Sequence, residues 1–265
     1  MTEHKQWDYR NLNLNRSINI GSRCLELSTI LSLENGILCE KEVLISEAVM
    51  KVIDEILVNA SDHYYKKCDT TNPVTYIQVK YSNKNNIILV KNDGLGMPVI
   101  KEWDGCKNKD TYLPNALISQ ENTSSNYNEN EKDRIYGGSF GQGSKIVNIY
   151  AKNFQLTTID SDRNLKYSIQ YYNNLEGFKN ETITKSDEKS YTEIMWLPDY
   201  EKLCKCDNND WIQTNKTIIP DILFSRLLQI SVFINTIDFS HKCNKKIVYN
   251  IKPKCFYNKL ELNYN

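Results

Sequence analysis

Three short stretches carry residues whose types and spacing suit chemistry. The first is ISEAVMKVIDEILVNASDHY at 45–64. On a helix turning by about 100° per residue, Glu55, Asn59 and Asp62 fall within about 60° of one another, opposite an apolar stripe of Val49, Ile53, Ile56 and Ala60. Two carboxylates and an amide on one face are either a solvated surface or the wall of a cleft. The apolar flanks Leu57 and Val58 favour the wall. The second stretch is KNDGLGMP at 91–98. Gly94 and Gly96 bracket Leu95, and Pro98 stops the segment. It reads either as a simple turn after a strand, or as backbone bent so that something flat can approach Asn92 or Asp93. The third is GGSFGQGSK at 137–145. Its glycines free backbone N–H groups to face an anion, and Lys145 with the following helix start adds positive potential. It is not a P-loop, because Ser144 and Lys145 stand in the wrong order. It is not a Rossmann turn either, because Ile146 stands where a third glycine is needed. A flexible turn is the alternative.

The elements that must position these stretches follow from periodicity. Residues 45–64 and 219–234 read as strong helices, the second opened by Pro220. Strands are expected at 74–82 and 86–94, with Asn83 to Asn86 as the turn between them, and at 154–160, 166–172 and 191–198. KIVNIYAKN (145–153) reads as a helix and KKIVYNIKP (245–253) as a short closing strand. Residues 1–15 read as a loose polar arm, and 105–135 as polar and mostly irregular. The fold class expected is α+β, with helices against one mainly antiparallel sheet.

Bulk composition narrows the setting. The chain has 265 residues, 40% hydrophobic and 25% charged, with zero formal net charge. That is ordinary globular composition, without a global basic field for nucleic acid. No run reaches membrane-span length, and MTEHKQWDYR is not a signal peptide. Eight cysteines form no C-x-x-C pair and the three histidines are scattered, which argues for free thiols in a reducing compartment and against a zinc site.

Taken in order, DEILVNASDH, NDGLGMP and GGSFGQGSK resemble the GHKL ATPase fold of type II topoisomerases, the ninety-kilodalton heat-shock chaperone, mismatch-repair ATPases and histidine kinases. With RSINIGS (16–22) and TSSNYNENEKDRIYGGSFGQGSKIVNIYA (123–151), the chain is similar to the N-terminal ATPase region of eukaryotic and large-virus DNA topoisomerase II. The resemblance runs from about residue 16 to the end.

That resemblance implies a GHKL (Bergerat) α+β sandwich, helices on one face of a mainly antiparallel mixed sheet, binding ATP and Mg²⁺. Glu55 falls at the general base, Asn59 at the magnesium ligand and Asn92 at the reader of the adenine amino group. Asp62 and His63 fall beside the nucleotide. Gly96 and Met97 border the adenine pocket, and Ser124, Ser125 and Asn126 contact ribose and phosphate. Gly141, Gln142, Gly143, Ser144 and Lys145 form the phosphate lid, with Lys145 also serving catalysis. Departures are Leu95 for an arginine, Ser139 and Phe140 for Arg-Asn, Gln142 for an aromatic and His63 for an asparagine. QTNK at 213–216 only superficially matches the family's Gln-Thr-Lys loop.

The domains expected are an N-terminal arm (1–22) and an ATPase domain (23–265), with the transducer and DNA-cleaving regions outside this chain. The resemblance further implies an ATP-dependent homodimer whose arms cross, gating a duplex captured by the full-length enzyme or a partner subunit. No membrane is involved. The expected setting is intracellular, nucleus or cytoplasm, with a viral source open. Two alternatives remain: another GHKL ATPase of chaperone, mismatch-repair or chromatin type, or a nucleotide-dependent dimerisation module with little turnover.

Overall fold

The computed structural model describes residues 9–14, 19–35, 37–67, 72–101, 110–120, 142–205, 218–231, 249–251 and 262–264. In chain order the strands are β1 (Leu25–Glu34), β2 (Ile37–Ser46), β3 (Ile77–Ser82), β4 (Ile87–Asp93), β5 (Ala151–Asp160), β6 (Leu165–Tyr172), β7 (Gly177–Lys185), β8 (Tyr191–Pro198), β9 (Tyr249–Ile251) and β10 (Leu262–Tyr264). The helices are α1 (9–14), α2 (Glu47–Lys67), α3 (Leu113–Ser119), α4 (Gly143–Ile149), α5 (Tyr200–Leu203) and α6 (Ile218–Ser231). Six strands form one sheet in the order β3-β4-β8-β5-β6-β7. Every pairing in it is antiparallel. β1 with β2, and β9 with β10, make separate two-stranded sheets.

Alternation along the strands builds the core in rows, because side chains of paired residues share a face. One row joins Ile88, Trp196 and Phe154 on β4, β8 and β5, and the next joins Val90, Ile194 and Leu156. All six are buried. The third row, two residues further on, is Asn92, Thr192 and Thr158, also buried but polar. Helices α2 and α4 cover this face of the sheet, and α3 packs beside α4.

Helix α2 starts where it does for local reasons. The backbone N–H of Val49 donates to Ser46 Oγ at 3.3 Å, capping the first turn. Glu47, beside the positive end of the helix, accepts the Ser22 N–H at 2.9 Å. Gly21 is in the left-handed region (φ 83°), and a Cβ there would press on Glu47. Val49, Ile53, Ile56 and Ala60 are all buried, as the apolar stripe predicts.

Several elements differ from the sequence reading. Residues 9–14, read as part of a loose arm, are helical. Arg10 Nη2 donates to the Asn173 carbonyl at 3.0 Å, and Tyr150 Oη donates to the Asn13 carbonyl at 2.6 Å. The 145–153 segment is helical only to Ile149, and Ala151 already begins β5. The hairpin β1–β2, the edge strand β7 and helix α3 carried no clear period in the sequence. β7 is polar and exposed along most of its length, so burial imposes no alternation on it.

Candidate active site

Helix α2 lays Glu55, Asn59 and His63 at four-residue intervals, about 6 Å apart along its axis. Each meets a different part of the molecule. Glu55 pairs with Lys51 one turn back and lies against Gly143, the first residue of α4. A Cβ at position 143 would collide with the Glu55 carboxylate oxygen, so a side chain there would push the carboxylate aside, and glycine lets it lie directly against the start of α4. Asn59 Nδ2 donates to Ser144 Oγ at 2.9 Å. His63 Nδ1 lies 2.8 Å from Asn92 Nδ2 on β4. Asp62 is buried on the same stripe.

At the His63 end, the NDGLGMP segment is pinned by the sheet. The Asp93 carboxylate is spent on structure: it accepts the backbone N–H groups of Thr75 at 2.7 Å and Tyr76 at 2.9 Å. Of the two residues the sequence left open, Asn92 therefore faces the helix while Asp93 ties the turn. Gly94 has φ 95° and fits against Val74. Gly96 fits against the Ile159 carbonyl, where a Cβ would collide. The Met97 N–H donates to Thr158 Oγ1 and the Val99 N–H to Asp160 Oδ2, at 2.9 and 2.8 Å. Thr158 Oγ1 also lies 3.3 Å from Thr192 Oγ1. The polar row and the bent segment thus form one hydrogen-bonded wall.

At the Glu55 end, Gln142 occupies the position before α4, and Ser144 faces Asn59. Lys145 is fully buried, and burial pushes its ammonium down to a pKa of about 7.

Eleven of the sequence-predicted site residues lie in the described parts: Glu55, Asn59, Asp62, His63, Asn92, Gly96, Met97, Gln142, Gly143, Ser144 and Lys145. Ser124, Ser125, Asn126 and Gly141 lie outside the described residues. Sequence reasoning missed Thr158 and Thr192. Their signal was a threonine standing in an inward slot: Phe154, Leu156, Thr158 on one strand and Trp196, Ile194, Thr192 on its neighbour.

The donor set fits the expected ligands. With Asn59 Nδ2 turned to Ser144, the oxygen Oδ1 remains for a hard cation, which takes its other ligands from water and phosphate. Among the described residues no group of three or more His, Cys, Asp or Glu could hold a metal alone.

No family model matches the chain. Curated relatives do. The chain is 31% identical over 199 residues to DNA topoisomerase 2 of Plasmodium falciparum, which covers 75% of this chain and 13% of that protein. It is 32% identical to DNA topoisomerase 2 of Acanthamoeba polyphaga mimivirus, over 69% of this chain and 14% of that protein. The chain therefore spans about an eighth of the length of the curated relatives it matches. Among solved structures, the ATPase region of Saccharomyces cerevisiae topoisomerase II superposes with TM-score 0.74 at 27% identity, covering 89% of this chain and 59% of that one.

An antiparallel sheet covered by helices on one face, with the segment at Asn92 and the start of α4 both meeting α2, defines a protein of the GHKL ATPase class. Within that class the chain belongs with the ATPase region of the type II DNA topoisomerases.

Proposed function

We propose that this chain binds ATP with Mg²⁺ along helix α2 and hydrolyses it, as the ATPase portion of a type II DNA topoisomerase. One observation carries the reading. A single helix stripe touches the phosphate-lid segment at Glu55 and Asn59 and the adenine-wall segment at His63, about 12 Å apart. An extended nucleoside triphosphate needs two such ends held at a fixed distance.

The residues divide the work. Asn92 offers its amide to the base, and Gly96 and Met97 shape the wall beside it. Asn59 Oδ1 serves the cation, which when bound neutralises phosphate charge as the terminal phosphate departs. Glu55, paired with Lys51, takes a proton from water aimed at that phosphate. Gly143 and Ser144 bring the lid backbone to the phosphates, and Lys145 supplies charge from a desolvated position where it acts strongly. Ser124, Ser125, Asn126, Gly141 and Gln142 complete the ligand's surroundings in this reading.

In the larger enzyme, ATP binding would drive two copies together, with the N-terminal arm (1–22) crossing to the partner and closing a gate behind captured DNA. Such gating requires ATP to prefer the closed dimer. The setting would be intracellular, in nucleus or cytoplasm. None of the described helices is long and apolar enough to cross a membrane.

The test is a titration of a non-hydrolysable ATP analogue with Mg²⁺, followed by mass. Binding with a monomer-to-dimer shift is the expected result. Binding without dimerisation would keep the nucleotide site but remove the gate from this chain. No binding at millimolar analogue would sink the proposal.

A further inference from the structure

We infer that His63 is a positioning residue that, together with the Asp93 carbonyl, holds the hydrogen-bonding polarity of Asn92, and so strengthens the site's choice between purines. The inference rests on the nucleotide reading above. An asparagine amide has two N–H donors on its nitrogen and an acceptor on its oxygen. Asn92 Nδ2 lies 2.9 Å from the Asp93 carbonyl, which can only accept, so the nitrogen end is the end that faces it. The second N–H points to His63 Nδ1 at 2.8 Å, which must therefore be the unprotonated, accepting nitrogen of the ring. Both donors are then committed, and Oδ1 is the group left for a ligand.

An acceptor at this place suits a purine that offers an exocyclic N–H₂, as adenine does. A 6-oxo purine would set oxygen against oxygen. Asn92 is only 5% exposed, so water cannot cheaply relieve that mismatch. Rotating the amide by half a turn would expose the donors instead, and two anchors oppose that rotation. One is the Asp93 backbone, which side-chain substitution leaves in place. The other is His63.

The δ position of the side chain matters. Histidine Nδ1 and asparagine Oδ1 sit at the same number of bonds from Cβ, and both accept. Leucine places a methyl there and accepts nothing. His63→Leu therefore removes the second anchor at nearly constant size, and His63→Asn restores an acceptor in the same place.

The experiment compares Kd values for non-hydrolysable ATP and GTP analogues, each with Mg²⁺, in the wild-type chain and the two variants. Wild type is expected to prefer the ATP analogue. His63→Leu should cut that preference by about tenfold, mainly by weakening the ATP analogue, and His63→Asn should recover most of it. In turnover, His63→Leu should raise KM while kcat stays near wild type, since Glu55 lies two helical turns away. A His63→Leu chain that keeps the wild-type preference overturns the inference, as does a His63→Asn chain that behaves like His63→Leu. A wild type that binds neither analogue removes the nucleotide reading and this inference together. A wild type that binds ATP while the variants show no change removes the inference alone. If His63→Leu does not fold, the wild-type imidazole decides: two-bond ¹H–¹⁵N correlations should show Nδ1 without a proton, and a protonated neutral Nδ1 would rule the inference out.

Discussion

The same three strands, β4, β8 and β5, end in two different kinds of surface. Their first two rows, Ile88–Trp196–Phe154 and Val90–Ile194–Leu156, are closed apolar packing. Their third row, Asn92–Thr192–Thr158, is as buried but polar and hydrogen-bonded to the bent segment at Met97. Nothing in the backbone separates them, since register and spacing run on unchanged. The difference is side-chain chemistry alone. Changing one row near the strand ends thus makes a polar wall, while two rows of oily packing keep the strands in place.

The apolar half can be broken hardest. Trp196→Ala empties a fully buried site and should cost about 3–5 kcal/mol, read as a lower urea midpoint. If Thr192→Val proved equally costly, the division between packing and function would fail.

Next comes the chemistry that the polar half serves. Glu55→Gln should lower ATP turnover by about 10²-fold or more, near 2.7 kcal/mol of barrier, while binding of the ATP analogue persists. Turnover unchanged in this variant would take the base role from Glu55.

Lys145 sharpens the comparison through pH. In the free protein its proton is lost near pH 7, because burial penalises the cation. Phosphate oxygens would raise that pKa, so binding takes up a proton above pH 7. The ATP analogue should bind best below about pH 7 and weaken by up to about tenfold per unit above it, until the bound-state pKa is reached. Lys145→Met should bind weakly at every pH without this slope. A slope that survives the substitution belongs to another group.

The smallest effect is expected at Thr192. Thr192→Val keeps the shape but leaves Thr158 Oγ1 without that partner, for about 0.5–1.5 kcal/mol of stability. It should weaken the ATP analogue by severalfold, whereas the matching change in the apolar half, Ile194→Val, should leave affinity untouched. Equal effects on binding from both would place Thr192 among the packing residues.

The sequence by itself carried much of this. Helix α2 and strands β3, β4, β6 and β8 were legible because each buries one face, and burial writes its period into the residue types; β5, buried without a break from Leu156 to Asp160, was legible from its β-forming residue types. The stripe of Glu55, Asn59 and Asp62 was legible for the same reason, as the side left over. The hairpin β1–β2 was not, because its outer face keeps Leu27 and Leu44 exposed beside Glu40 and Glu42, which blurs the alternation. β7 was not, because an exposed edge strand has no burial to report. The division of labour between Asn92 and Asp93, the glycine at 143 lying against a carboxylate from another helix, and the contact of His63 with an amide 29 residues away are contacts between segments distant in the chain. One-dimensional periodicity records which face of an element is buried. It does not record which other element meets that face, and only the packed sheet and helix decided that.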